Sequence, residues 1–152
     1  MDHILTVNSG NVLELDDVSI PTGRILDVTN SRFDLRAPRR IDKEDADGFD
    51  HYWVLSESDR NEPMKLATEL VHEKSGRILQ VFTTAPGVQI YTGNALPIDL
   101  IGKDQIKYGP MVGICFETQG YPDSPNHPEF PDIILRRNAI YESKTVFRFL
   151  VR

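Results

Sequence analysis

Short runs of β-branched and aromatic residues recur along this sequence, and Gly, Pro, Asn and Asp interrupt each of them. No segment carries the apolar spacing of a convincing amphipathic helix, so the chain has to bury its apolar side chains from strands. About ten runs can be read this way, which predicts an all-β fold, an antiparallel β-sandwich. His3 to Val7 and Val12 to Leu15 flank Asn8-Ser9-Gly10-Asn11 and read as a hairpin. Ile20-Pro21-Thr22-Gly23 reads as a turn, followed by a long ordered loop through Arg40. Ile41 to Asp47 offers one acidic helical turn that Gly48 ends, and Ser56 to Met64 is a polar surface loop.

Further along, Lys65 to His72 and Arg77 to Thr83 form a hairpin across Ser75-Gly76. Tyr52 to Leu55 opens directly after Gly48-Phe49-Asp50-His51, leaving Asp50 and His51 at a strand entrance. Val88 to Thr92 sets Gln89 opposite the apolar side of its strand. Pro97 to Pro110 reads as a loop and Ile133 to Arg136 as a short β-type run. In Lys144 to Val151, the residues Thr145, Phe147, Phe149 and Val151 share one face, the pattern of a core strand.

At 152 residues the chain fits one domain with a core of its own. The net charge of −6, with acids and bases interspersed, argues against nucleic acid or an anionic membrane as a partner, and no apolar run is long enough for a transmembrane helix. A neutral polar ligand is compatible with that surface. Cys115 is the single cysteine, which excludes an internal disulfide and a thiolate-rich metal site; with no secretory leader at the N-terminus, a cytoplasmic location is expected.

The stretch Gly113 to Pro131, GICFETQGYPDSPNHPEFP, holds the most chemistry. As a strand, Gly113 to Gln119 turns Ile114, Phe116 and Thr118 to one side and Cys115, Glu117 and Gln119 to the other. Pro122, Pro125, Pro128 and Pro131 then force a stiff exposed loop, so the Glu117 carboxylate stands beside what resembles the rim of a binding site, or else on a solvated sheet face. Asp50, His51, Gln89 and the Asn126-His127 pair are the other candidates. Asp50, His51, Asp123 and His127 have no paired-His or His-x-Glu-x-His spacing, so no metal site is expected. Cys115 reads as a small buried hydrophobe, and His127 as a loop residue bonded to backbone.

Three runs, GFDHYWVL (Gly48 to Leu55), SGRILQVFTTAPGVQIYTGN (Ser75 to Asn94) and the Gly113 to Pro131 stretch, together resemble the aldose 1-epimerase (galactose mutarotase) family. LTVN near the start, IPTGRILDV, FDLRAPRRI and the closing aromatic strand extend the resemblance over nearly the whole chain in unbroken order. It implies a large β-sandwich whose open face binds a monosaccharide, an aldohexose, and interconverts its α and β anomers without a cofactor. In that family a glutamate removes the proton of the C1 hydroxyl while a histidine protonates the ring oxygen. Glu117 in Glu-Thr-Gln matches the base, Asp50 in Gly-Phe-Asp-His a residue that binds sugar hydroxyls, and Gln89 in Gly-Val-Gln a substrate contact.

The same resemblance implies a C-terminal half. The family's general-acid histidine lies in a motif like Asn-His-x-Tyr-Phe-Asn, which this sequence lacks and which would end just before Met1. Residues 1–152 then correspond to the C-terminal portion of one domain, and a non-catalytic sugar-binding sandwich or an inactive fragment is the alternative. A sandwich divided in this way exposes an edge and an inner apolar face, which favour pairing with another chain.

Overall fold

The computed structural model describes residues 2–41, 47–55 and 64–152. The acidic turn read at Ile41 to Asp47 and the loop read at Ser56 to Met64 fall largely outside the described residues. Twelve strands and three short 3₁₀ turns are present, with no α-helix among the described residues, so the all-β expectation holds.

Two five-stranded antiparallel sheets make the body. The first has the order β12-β7-β6-β1-β4, built from Thr145–Val151, Arg77–Thr83, Lys65–His72, Ile4–Val7 and Arg39–Arg40. The second has the order β11-β8-β5-β2-β3, built from Cys115–Gln119, Gly87–Tyr91, Asp50–Val54, Asn11–Leu15 and Pro21–Asp27. A small ribbon, β9 (Leu100–Ile101) with β10 (Lys107–Tyr108), interrupts the loop read at Pro97 to Pro110. One apolar core joins the sheets: Leu5, Val7, Ala67 and Leu70 from the first meet Val12, Trp53, Val88 and Ile90 from the second. The shared core is what makes the pair a sandwich, because each sheet buries one face of alternate residues against the other.

The β6–β7 hairpin forms over the residues its sequence indicates. The hairpin expected between His3 to Val7 and Val12 to Leu15 does not exist. β1 pairs with β4 and β6, while β2 pairs with β3 and β5 in the other sheet. Asn8 to Gly10 is a corner from sheet to sheet, with buried Ser9 holding it: its hydroxyl lies 2.6 Å from the Val54 carbonyl and accepts from the Asn11 N–H at 3.0 Å. A hairpin would have sent both strands into one sheet, whereas the corner lets both bury apolar residues in one core.

The turn expected at Ile20 to Gly23 lies earlier. Asp16 Oδ1 accepts from the Val18 and Ile20 N–H groups, and Pro21 already begins β3, an edge position where a missing N–H costs nothing to the ladder. Ile133 to Arg136 is not a strand, and its side chains are exposed. β12 is bonded to β7 along its full length, yet Phe147, Phe149 and Val151 are 46 %, 76 % and 75 % exposed. It is an edge strand with an uncovered apolar face, and the expected core strand is not found, because hydrogen bonding to β7 supplies no layer to cover that face.

Candidate active site

The outer face of the second sheet carries the site, and strand register assembles it. Tyr52, Gln89 and Glu117 are direct partners across β5, β8 and β11, and Asp50, Tyr91 and Cys115 make the next row. Alternation puts both rows on the same face. His51 and Trp53 point the other way, His51 lying against Phe33 with ring centres 4.5 Å apart. Burial, reinforced by the positive charge of Arg32, pushes the His51 imidazole down to about 4. The strand entrance at Asp50 and His51 therefore delivers only the aspartate to the open face.

All residues of the two rows but Cys115 line a cleft of about 310 Å³. Its floor is Leu13 and Leu15 of β2, Asp50 and Tyr52 of β5, and Gln89 and Tyr91 of β8. One wall is Glu117, Gln119 and Pro122; Ser19 and Pro21 face it from the β3 edge. Gln89 donates from Nε2 to Asp50 Oδ1 at 2.7 Å, so the amide is oriented with its carbonyl oxygen free to accept. Glu117 and Asp50 are exposed, Gln89 half-buried. The three residues singled out as base and sugar contacts are thus brought together, with Gln89 placed between the two carboxylates by the register.

Tyr52 is the residue sequence reasoning missed. It is buried, its ring lies over Gly87, and its hydroxyl donates to the Gln119 carbonyl at 2.8 Å, tying the end of β11 to the middle of the sheet. Burial, with Tyr121 beside it, raises the phenol far above its ordinary range, so the group serves as a neutral donor. The alternation of Asp50 with Tyr52 was readable, but the glycine across from Val54 that makes room for the ring becomes meaningful only with the register in hand.

The remaining candidates separate. Asn126 and His127 lie in the proline-rich segment after β11, where His127 bonds to the Pro21 carbonyl, the backbone role its sequence suggests. Cys115 is exposed, against the expectation of a buried thiol, since it occupies the outer face of edge strand β11. Among the described residues, no group of three or more His, Cys, Asp or Glu is placed to hold a metal ion.

Comparison with known proteins decides the family. Residues 1–148 match the aldose 1-epimerase family. The chain belongs to the aldose 1-epimerase family. It is 43 % identical to galactose mutarotase of Mus musculus and 40 % to that of Homo sapiens, each over 154 aligned residues covering 99 % of this chain and 44 % of the relative. Aldose 1-epimerase of Escherichia coli K12 is 30 % identical over 98 % of the chain and 45 % of its own length. Among solved structures, an aldose epimerase homologue from C. elegans superposes with a TM-score of 0.87 at 28 % identity, covering 99 % of this chain and 46 % of that one. Galactose 1-epimerase from Lactobacillus acidophilus, at 22 % identity and a TM-score of 0.71, shares the fold. The chain therefore spans somewhat less than half the length of the epimerases it matches.

Proposed function

We propose that this chain carries the base and the hydroxyl-binding face of an aldose 1-epimerase that interconverts the α and β anomers of aldohexoses such as galactose and glucose. The supporting observation is the convergence of Glu117, Gln89 and Asp50 in one cleft on one sheet face. The Glu117 carboxylate accepts the proton of the C1 hydroxyl, the electrons of that O–H bond form the C1 carbonyl, and the bond from C1 to the ring oxygen breaks as that oxygen takes up a proton. Rotation about C1–C2 and closure in the reverse sense deliver the other anomer. Asp50 and Gln89 hold ring hydroxyls through charge-assisted and amide hydrogen bonds. Proton transfer is all that this chemistry asks for, so the proposal includes no cofactor. A reducing, cytoplasmic setting is supported by the lone exposed thiol of Cys115.

None of the four histidines lines the cleft: His3 and His72 stack on each other beside the first sheet, His51 faces inward and His127 is bonded to Pro21. If a histidine protonates the ring oxygen, as the family resemblance implies, that donor comes from outside these residues. The uncovered apolar face of β12 is where a polypeptide with the remainder of the relatives' domain would pair, bringing that donor. The same observation favours a second reading, in which this chain alone binds sugar and does not turn it over.

Polarimetry of freshly dissolved α-galactose and α-glucose separates the two. Turnover, in this chain or in a form completed with the remainder of the domain, is expected to fall ~10²–10⁴-fold in Glu117→Gln with sugar affinity nearly unchanged. Mutarotation by the Gln variant within about threefold of the parent would falsify the role of Glu117, while saturable binding without turnover in either form supports the binding module.

A further inference from the structure

The segment after Gln119 crosses the open face of the second sheet from one edge to the other. It leaves β11, and its histidine reaches β3, at the opposite end of the strand order. A carbonyl can only accept, so His127 must carry its proton on Nε2 to bond the Pro21 carbonyl at 2.9 Å. Carboxylate oxygens of Asp123 and Glu129 lie 3.3 Å from Nε2 and Nδ1, and the side chain is only 17 % exposed. Gly23, two residues into β3 from Pro21, has φ of +90°, and a Cβ there would come within 2.1 Å of Glu129 Oε1 and 2.9 Å of His127 Nδ1. The His127–Glu129 pair thus rests directly on the β3 backbone.

The crossing is also anchored in the middle. Tyr121 and Phe130 join Leu13 and Tyr52 in a small aromatic cluster on the outer face, with Tyr121 5.3 Å from Tyr52 and 5.1 Å from Phe130 between ring centres. The Phe130 ring continues the stack to His127 at 4.9 Å. Within the crossing, Ser124 Oγ donates to the Pro131 carbonyl at 2.9 Å and the Phe130 N–H to the His127 carbonyl at 2.9 Å, so it behaves as one closed unit with little slack.

We infer that His127 is a positioning residue, the clasp of a strap that fixes the distance between the two walls of the cleft. The wall with Glu117 belongs to β11 and the wall with Pro21 to β3; three strands lie between them, and the strap is a direct connection over the top. Twist accumulates from strand to strand across a sheet, so the spacing of two edge strands with three others between them is fixed more firmly by a second, direct tie. Sugar discrimination in this cleft, which rests on the function proposed above, would then depend on His127 although it touches no part of the floor.

Amide hydrogen exchange and a sugar titration test this together. In His127→Leu, amides of Thr22 to Arg24 are expected to exchange at least ~10-fold faster while those of the β6–β7 hairpin are unchanged, because opening of the clasp is local. Galactose affinity should fall by about tenfold, and His127→Gln, whose amide can still donate to Pro21, should recover most of both effects. Should His127→Leu fail to fold, His127→Asn, whose shorter polar side chain does not reach the Pro21 carbonyl, predicts the same exchange pattern. Unchanged exchange at Thr22 to Arg24 in both variants overturns the clasp. Faster exchange with unaltered sugar affinity overturns its part in shaping the cleft. A parent protein that binds no galactose refutes the functional reading instead, and the exchange result alone then decides the clasp.

Discussion

At the scale of single residues, Gly87 and His51 show how the sheet's two faces are held apart in character. A Cβ at Gly87 would stand 2.2 Å from the Tyr52 ring and hydroxyl, so Gly87→Ala must either displace a buried tyrosine from its bond to Gln119 or spread β5 from β8. Overpacking of this kind costs about 2 kcal/mol, and thermal unfolding should show Tm lowered by several degrees; an unchanged Tm would mean that the ring has another place to go. His51 predicts a pH dependence. Its folded pKa, about 4, lies below the ordinary 6.5, so the unfolded chain binds the extra proton first. Stability attributable to His51 is therefore complete above pH 6.5 and lost as the pH falls towards 4. After discounting for partial exposure the loss is about 2 kcal/mol, and urea titrations at pH 7 and pH 4.5 should show the gap shrink in His51→Leu. An equal gap in the variant would place the acid sensitivity elsewhere. Alternation along a strand assigned Glu117 and Gln89 to their faces and a strand entrance singled out Asp50, while the roles expected of the three came from the family resemblance. What held them together was not legible, since the Gln89–Asp50 bond and the Tyr52 ring over Gly87 depend on register between strands tens of residues apart.

Among the elements, legibility tracks how local the deciding interaction is. The β6–β7 hairpin is set by its own turn, with Gly76 in the left-handed region beside the 3₁₀ turn Glu73–Ser75, so its limits could be read directly. Asn8 to Asn11 has the same turn chemistry, but whether such residues fold a hairpin or a corner is decided by where the flanking Val7 and Val12 bury, which is a property of the whole core. β12 presents the converse difficulty: its aromatic alternation is real, its pairing to β7 is complete, and the layer that would cover it is not supplied by the described residues. Substitutions can separate pairing from burial. Leu5→Ala on interior strand β1, fully buried, should cost about 3 kcal/mol. Phe149→Ala on β12, three-quarters exposed, should cost under about 0.5 kcal/mol. Chemical denaturation measures both, and a Phe149 cost near that of Leu5 would restore the core-strand assignment.

For the molecule as a whole, the exposed side chains of Phe147, Phe149 and Val151, with Ile133, Ile134, Leu135, Ile140 and Tyr141 in the preceding segment, supply apolar surface that a lone domain rarely leaves uncovered. Isolated, the chain should self-associate with rising concentration in sedimentation velocity runs, and Phe149→Lys with Val151→Thr should shift it towards the monomer. A monomer at every concentration up to ~100 μM would show that this face needs no cover. The strap bears on a different property, the order in which the chain finds its shape. The bond from His127 to Pro21 joins residues 106 apart in sequence, whereas the β6–β7 hairpin closes across a single short turn. Closing so large a loop has a high entropic cost and is rewarded only once both sheet edges exist to receive it. The clasp over the cleft is therefore expected to close late in folding, after the strands that form the cleft floor, and the two walls to reach their final spacing only then.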